Sequence, residues 1–210
     1  EFVRSQASIA LGAMRLASKP AVPKLINLIR DPAPIVRKNA LIAIREIDPQ
    51  QAIIVIPELI QLLKSKDAAI RGNAAELLGA IGSKSVAASP ALLRLFNEDK
   101  ESSVRYAAVR AIGKIGIASP QILQLFISGL KKTGRNYGEI KCISQALTNF
   151  GPKAAETTVT LIEIFENGNR WLRRFLFKAI VSVGLGTPEL VPFVKKAINN
   201  PDGRIARYAK

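Results

Sequence analysis

VRYAAVRAIGKIG, residues 104–116, holds two arginines, one lysine and two glycines. Two readings compete for it: a basic, glycine-bearing stretch that cradles a phosphate, and a helix with small residues along one side. The rest of the chain decides between them. VRSQASIALGAMR (3–15), VRKNALIAIREID (36–48) and IRGNAAELLGAIG (70–82) align with it without a gap. EIKCISQALTNFG (139–151) and LRRFLFKAIVSVG (172–184) are weaker copies, and a seventh begins at IARYAK (205–210). The copies start near 3, 36, 70, 104, 139, 172 and 205, a spacing of 33 to 35 residues. A ligand site is local, whereas a fold constraint repeats, so the helix reading wins.

Counted from each start, offset 0 is Val3, Val36, Ile70, Val104, Glu139 and Leu172. Offset 7 is Ala10, Ala43, Ala111, Ala146 and Ala179, with Leu77 as the exception, and offset 8 is Leu or Ile throughout. With offsets 4 and 11 these fall on one stripe of a 3.6-residue helix. Offset 12 is Gly82, Gly116, Gly151 and Gly184, a common helix stop. Between these helices runs another, in AVPKLINLI (21–29), VIPELIQLL (55–63), ASPALLRLF (88–96) and LVPFVKKAI (190–198). Its proline sits near the start, where a missing N–H costs little. SPQILQLFISGL (119–130) and AAETTVTLIEIF (154–165) fill the same slot. We call this the first helix of a unit and the arginine-bearing one the second.

The sequence therefore predicts an all-α fold of about six antiparallel helix pairs in a single array over 1–210. One pair cannot bury its apolar side alone, but a stack can. The chain opens and closes inside second helices, so flanking repeats or caps are expected.

The frame VRxxAxxALGxIG…AVPxLxxLL…D resembles HEAT repeats, of the subtype named after phycobilisome lyases. The resemblance implies a right-handed α-solenoid, an armadillo/HEAT-like superhelix whose second helices line the concave face. It also implies a structural ladder in which a recurring arginine pairs with an aspartate in the turn between helices. The arginines are Arg4, Arg37, Arg71, Arg105 and Arg173; the candidate aspartates are Asp31, Asp67, Asp99 and Asp202. Copy five has Ile140 instead. The connection before it, KKTGRNYGE (131–139), carries Gly134 and Gly138 and is read as a kink or hinge.

Composition narrows the chemistry. Lys and Arg number 31 against 16 Asp and Glu, a net charge of +15 and a pI near 10.3. Such a balance favours acidic partners. Without histidine there is no Ser–His–Asp triad and no His-ligated metal. A single cysteine, Cys142, allows neither an internal disulfide nor a cysteine-based zinc site, and is read as packing. No apolar run approaches the roughly 18 residues of a bilayer span. GAIGSKS (79–85) lacks the order of a phosphate loop and follows a helix, not a strand. Neither catalytic residues, metal nor cofactor is expected, and the protein reads as a non-enzymatic, cytoplasmic one.

Offsets 2, 6 and 9 lie opposite the core stripe, and the repeat constrains them least. They include Ser5, Gly12, Lys38, Arg45, Glu76, Gly79, Tyr106, Arg110, Gly113, Lys141, Arg174 and Lys178, with Lys114 at the flank. Lys38, Arg45, Tyr106, Arg110, Lys114, Lys141, Arg174 and Lys178 are the candidate partner-binding residues; the competing reading is a solvated charged side. Phe177 is offered as further aromatic surface, and Trp171 as packing, a base stack or a peptide anchor. The leading function is a scaffold that binds an acidic protein or peptide. Nucleic-acid binding in a basic groove is one alternative. The other, implied by the subtype, is a bilin lyase-like subunit with propionates on Arg110, Lys141 or Arg174. Residues 106–210 carry 16 basic and 6 acidic side chains against 15 and 10 in 1–105, which points to the C-terminal half for anion contact. The partner's identity and the oligomeric state are not legible in the sequence.

Overall fold

Val36, Ala40, Ala43, Ile44 and Ile47 recur every three or four residues and wind into one side of α3, Pro34–Ile47, where all five are buried. The same pattern gives the other second helices: α1 (Phe2–Met14), α5 (Ala68–Ile81), α7 (Ser102–Ile115), α9 (Tyr137–Phe150) and α11 (Arg170–Val183). The first helices are α2 (Val22–Leu28), α4 (Ile56–Leu62), α6 (Ser89–Glu98), α8 (Pro120–Lys131), α10 (Thr158–Asn167) and α12 (Leu190–Ile198). The computed structural model describes residues 1–131, 137–199 and 206, and among these there is no strand. Asp202, the copy start at 205 and residues 132–136 of the expected kink lie outside the described residues.

Four first helices are entered through a seven-residue 3-10 turn, which the periodicity did not foresee: Arg15–Ala21, Pro49–Val55, Gly82–Ala88 and Gly151–Thr157. The fourth residue of each, Ser18, Ala52, Ser85 and Ala154, is buried and small. Tight 3-10 winding brings the backbone close to its neighbours, so only a small side chain fits beneath it.

The chain forms two compact units, Glu1–Ile115 and Gly116–Lys210. In the first, α1, α3, α5 and α7 pack in succession, and α2, α4 and α6 each lie on the second helix that follows. In the second, α9 packs on α11, α8 lies against α9, and α10 against α11. The fold class is all-α, of the solenoid kind built from stacked helix pairs. Each fully buried Leu or Ile, such as Leu78 and Ile112, contributes about 1.5–3 kcal/mol.

One expectation needs correction. Gly12, Gly79 and Gly113, placed on the outward side by their offset, are buried, and so is Ser5. A helix inside a stack has two neighbours and hence two buried stripes; the sequence shows only the apolar one. In α1 the apolar stripe is the exposed one, with Val3 76% and Met14 58% accessible. There Ser5, Ser8 and Gly12 are the buried residues, and Ser5 accepts a 2.8 Å hydrogen bond from Asn39 of α3. The small residues set the helix separation. A Cβ on Gly12 would stand 3.1 Å from the Ala43 Cα, and one on Gly79 only 2.7 Å from the Ala111 Cα. The same register sets Arg45 against Leu77. The exceptional leucine thus belongs to the junction where arginine replaces the preceding helix's glycine.

Candidate functional site

The second-helix arginines cross-link repeats. Arg4 donates from Nε to Asp31 Oδ2 at 2.7 Å, and Arg71 donates to both oxygens of Asp99 at 2.7 and 2.9 Å. Each aspartate belongs to the turn of the following repeat, 27 or 28 residues on. The arginine of that following repeat holds the same turn by its backbone: Arg37 donates to the Asp31 and Pro32 carbonyls, Arg105 to those of Asp99 and Lys100. Arg173 likewise donates to the Phe165 and Glu166 carbonyls. These carbonyls lie in the last turn of a first helix or just past it, where the helix itself leaves acceptors open, and the guanidinium fork supplies donors to them.

Asp67 does not stand on this ladder. It caps α5, accepting from the Ala69 and Ile70 N–H groups. The residue equivalent to Asp31 and Asp99 is Ser65, whose hydroxyl accepts from the Asp67 N–H just as the two aspartates accept from Ala33 and Glu101. Serine cannot balance a guanidinium, and Arg37 makes no ion pair among the described residues. Arg4 holds the Asp31 carboxyl below its ordinary range, aided by the Ala33 N–H. Burial pushes Asp99 upward, but the Arg71 hydrogen bonds, the Glu101 N–H and nearby positive charge outweigh it, so its pKa also lies low.

In the first unit two of the five candidate binding residues, Arg45 and Arg110, are engaged within the chain. Arg110 reaches from α7 to Glu76 on α5, with Nε 2.8 Å from the carboxylate. Arg45 bonds to its neighbour Glu46. Tyr106 is half-buried, and its hydroxyl has no hydrogen-bond partner among the described residues. Lys38 is half-buried and Lys114 exposed.

The second unit differs. Along α9 run Tyr137, Lys141 and Gln145, spaced i, i+4, i+8; along α11 run Trp171, Arg174 and Lys178, spaced i, i+3, i+7. All six are exposed. The helices are direct neighbours, and their rows are joined where Tyr137 meets Trp171 edge-on, with ring centroids 5.7 Å apart. Phe175 closes the cluster 4.9 Å from Tyr137. Lys141, Arg174 and Lys178 make no ion pair among the described residues. Trp171 and Tyr137 remain 46% and 49% accessible, so they pack on each other and still present ring surface. The sequence reading missed Tyr137, although its i, i+4 spacing to Lys141 was available. Phe177 is buried against Phe165 and Phe193, not part of the surface. Cys142 is buried.

No group of potential metal ligands occurs among the described residues. No helix among them is long and apolar enough to cross a membrane.

Comparison with known proteins agrees with the repeat. A family model described as HEAT repeats matches residues 56–137, and one described as HEAT repeat matches 21–50. No curated protein matches the sequence. Among solved structures, an engineered protein from the Northeast Structural Genomics Consortium superposes with a TM-score of 0.65 at 20% identity, covering 87% of this chain and 90% of its own. A second engineered protein from the same consortium gives 0.70 at 18% identity, covering 98% of this chain and 62% of its own. At such identities the likeness concerns the fold alone. The family models together span more than half of the sequence, and the chain belongs to the HEAT-repeat family.

Proposed function

We propose that the protein is a non-enzymatic scaffold that binds an acidic segment of a partner protein along its second helices. One observation supports this above others: the paired exposed rows of α9 and α11, where Lys141, Arg174 and Lys178 have no ion pair among the described residues and stand beside the Tyr137–Trp171 rings. Aromatic rings supply contact area at little entropic cost, and unpaired cations select and orient an acidic partner. Arg45 and Arg110 are secondary to this patch, since each would first have to leave its own carboxylate. Lys38, Tyr106 and Lys114 lie on second helices of the first unit and form no part of this patch. Of the three cations that a bilin reading places on propionates, Arg110 is already held by Glu76, which removes its particular support.

The exposed Trp171 and Tyr137 also favour a second reading, single-stranded nucleic acid stacked on the rings. A salt series separates the two. Fluorescence anisotropy is measured for an acidic twelve-residue peptide and a twenty-nucleotide random DNA strand between low and physiological ionic strength. The scaffold reading expects peptide binding to persist at physiological salt and DNA binding to be weak. DNA affinity falling with a log–log slope of about −0.7 per phosphate contact, without peptide binding, would replace it with the second reading.

A further inference from the structure

We propose that a groove between the end of α4 and α6, on the first-helix side of the first unit, takes a carboxylate side chain from an acidic peptide of a partner protein. The groove encloses about 580 Å³. Leu63 and Lys64 form one wall, Ala91, Arg94 and Leu95 the other, and the Arg71–Asp99 pair lies at its base.

The neighbouring junctions show what this one lacks. Between α2 and α4, Arg30 is bridged to Glu58. Between α10 and α12, Glu166 is bridged to Lys196 at 2.6 Å, and the corresponding groove holds only about 140 Å³. Counted from the prolines, Lys64 stands where Arg30 stands, and Ala91 stands where Glu58 stands. Arg94 likewise occupies the place of Lys196, while Lys64, six residues before the second-helix start at Ile70, takes that of Glu166, six before Leu172. Both bridges are therefore missing at once: Lys64 confronts an alanine and a like charge. Lys64 makes no ion pair among the described residues, and Arg94 bonds only along its own helix to Glu98, with both side chains largely exposed. Asp99 is occupied by Arg71. The groove thus holds three cations against two carboxylates, both already engaged. Half-buried Ala91 and the aliphatic stems of Lys64 and Arg94 offer apolar surface for the residues that flank an incoming carboxylate, over buried Leu63 and Leu95. An acidic side chain there would make from outside the bridge that Glu58 makes from within.

This site lies in a different unit from the α9–α11 rows, and the two stand or fall separately. The test is an NMR titration of the full chain with acetyl-Leu-Glu-Leu amide and its Gln counterpart. The Glu peptide should bind at least about threefold more tightly, with shifts confined to 63–65 and 90–99. Ala91→Glu, which rebuilds the internal bridge to Lys64, and Lys64→Met, at an exposed position, should each abolish the difference; Lys141→Glu should leave it intact. Equal binding of the two peptides, shifts centred elsewhere, or a Glu preference surviving both groove variants would overturn the proposal.

Discussion

Arg71 grips Asp99 through two parallel hydrogen bonds, Nε to Oδ2 at 2.7 Å and Nη2 to Oδ1 at 2.9 Å, and both side chains are at least nine-tenths buried. The pair ties the second helix of one repeat to the turn of the next. Asp99→Asn keeps the volume but leaves a buried guanidinium without its counter-charge. We expect a loss of about 2–4 kcal/mol, read from urea unfolding. Asp31→Asn should cost less, because its partner Arg4 is half-exposed. Equal losses at the two rungs would contradict the role of burial.

Acid should act through the same carboxylates. The pKa values of Asp31, Asp48 and Asp99 lie below the ordinary 3.8 in the folded chain. For Asp48 the main cause is its bond from Lys19. A depressed folded pKa means that the stabilisation is present above the unfolded value and disappears as pH falls through the folded one. The chain has no histidine to titrate nearer neutrality. The urea midpoint should stay flat from about pH 8 to pH 5 and drop below about pH 4. Asp99→Asn should flatten that drop; a decline beginning near pH 6 would point to other groups.

The missing rung can be rebuilt. Ser65→Asp places a carboxylate at the position from which Asp31 receives Arg4 and Asp99 receives Arg71. Arg37 is the arginine one repeat earlier and already lies along the turn carbonyls. We expect a gain of about 0.5–1 kcal/mol, visible as a higher melting temperature. The gain should vanish in an Arg37→Met background, and a gain that persists there would mean that the two residues do not meet.

Two glycines of α5 should respond with opposite signs to the same substitution. Gly79→Ala drives a methyl to 2.7 Å from the Ala111 backbone, so α7 must move. Overpacking exceeds the gain in helix propensity, and we expect a net loss of about 1–2 kcal/mol. Gly72→Ala meets only Val104 at 3.9 Å, an ordinary contact, and should stabilise by about 0.5–1 kcal/mol. Thermal melts of the two variants decide the matter, and the same sign at both sites would refute the close-packing account.

The repeat was legible because its apolar residues keep the helix period across six copies, and Val104, Ala108, Ala111, Ile112 and Ile115 are all buried as that period requires. The second buried stripe was not legible. It is made of Ser5, Ser8, Gly12 and Gly79, and small or polar residues leave no hydrophobic signal in a sequence. The same blindness put Gly113 among the outward positions. Asp67 was mistaken for a ladder residue because it is acidic and close to Arg71, whereas the rung lies two residues earlier, at a serine. In the site, charge alone marked Arg110 and Lys141 alike. Only geometry separates them: Glu76 sits beside the first, and the second is open to solvent beside Tyr137.

The central claim is that the α9–α11 rows select an acidic protein segment. The most direct measurement is selection from a random displayed peptide library on the wild-type chain and on Lys141→Glu/Arg174→Glu/Lys178→Glu, with circular dichroism confirming that both are folded. The account predicts enriched peptides with a net negative charge, whose affinity falls about tenfold or more on the triple variant. Enriched peptides without acidic bias, or bound equally by both proteins, would contradict it.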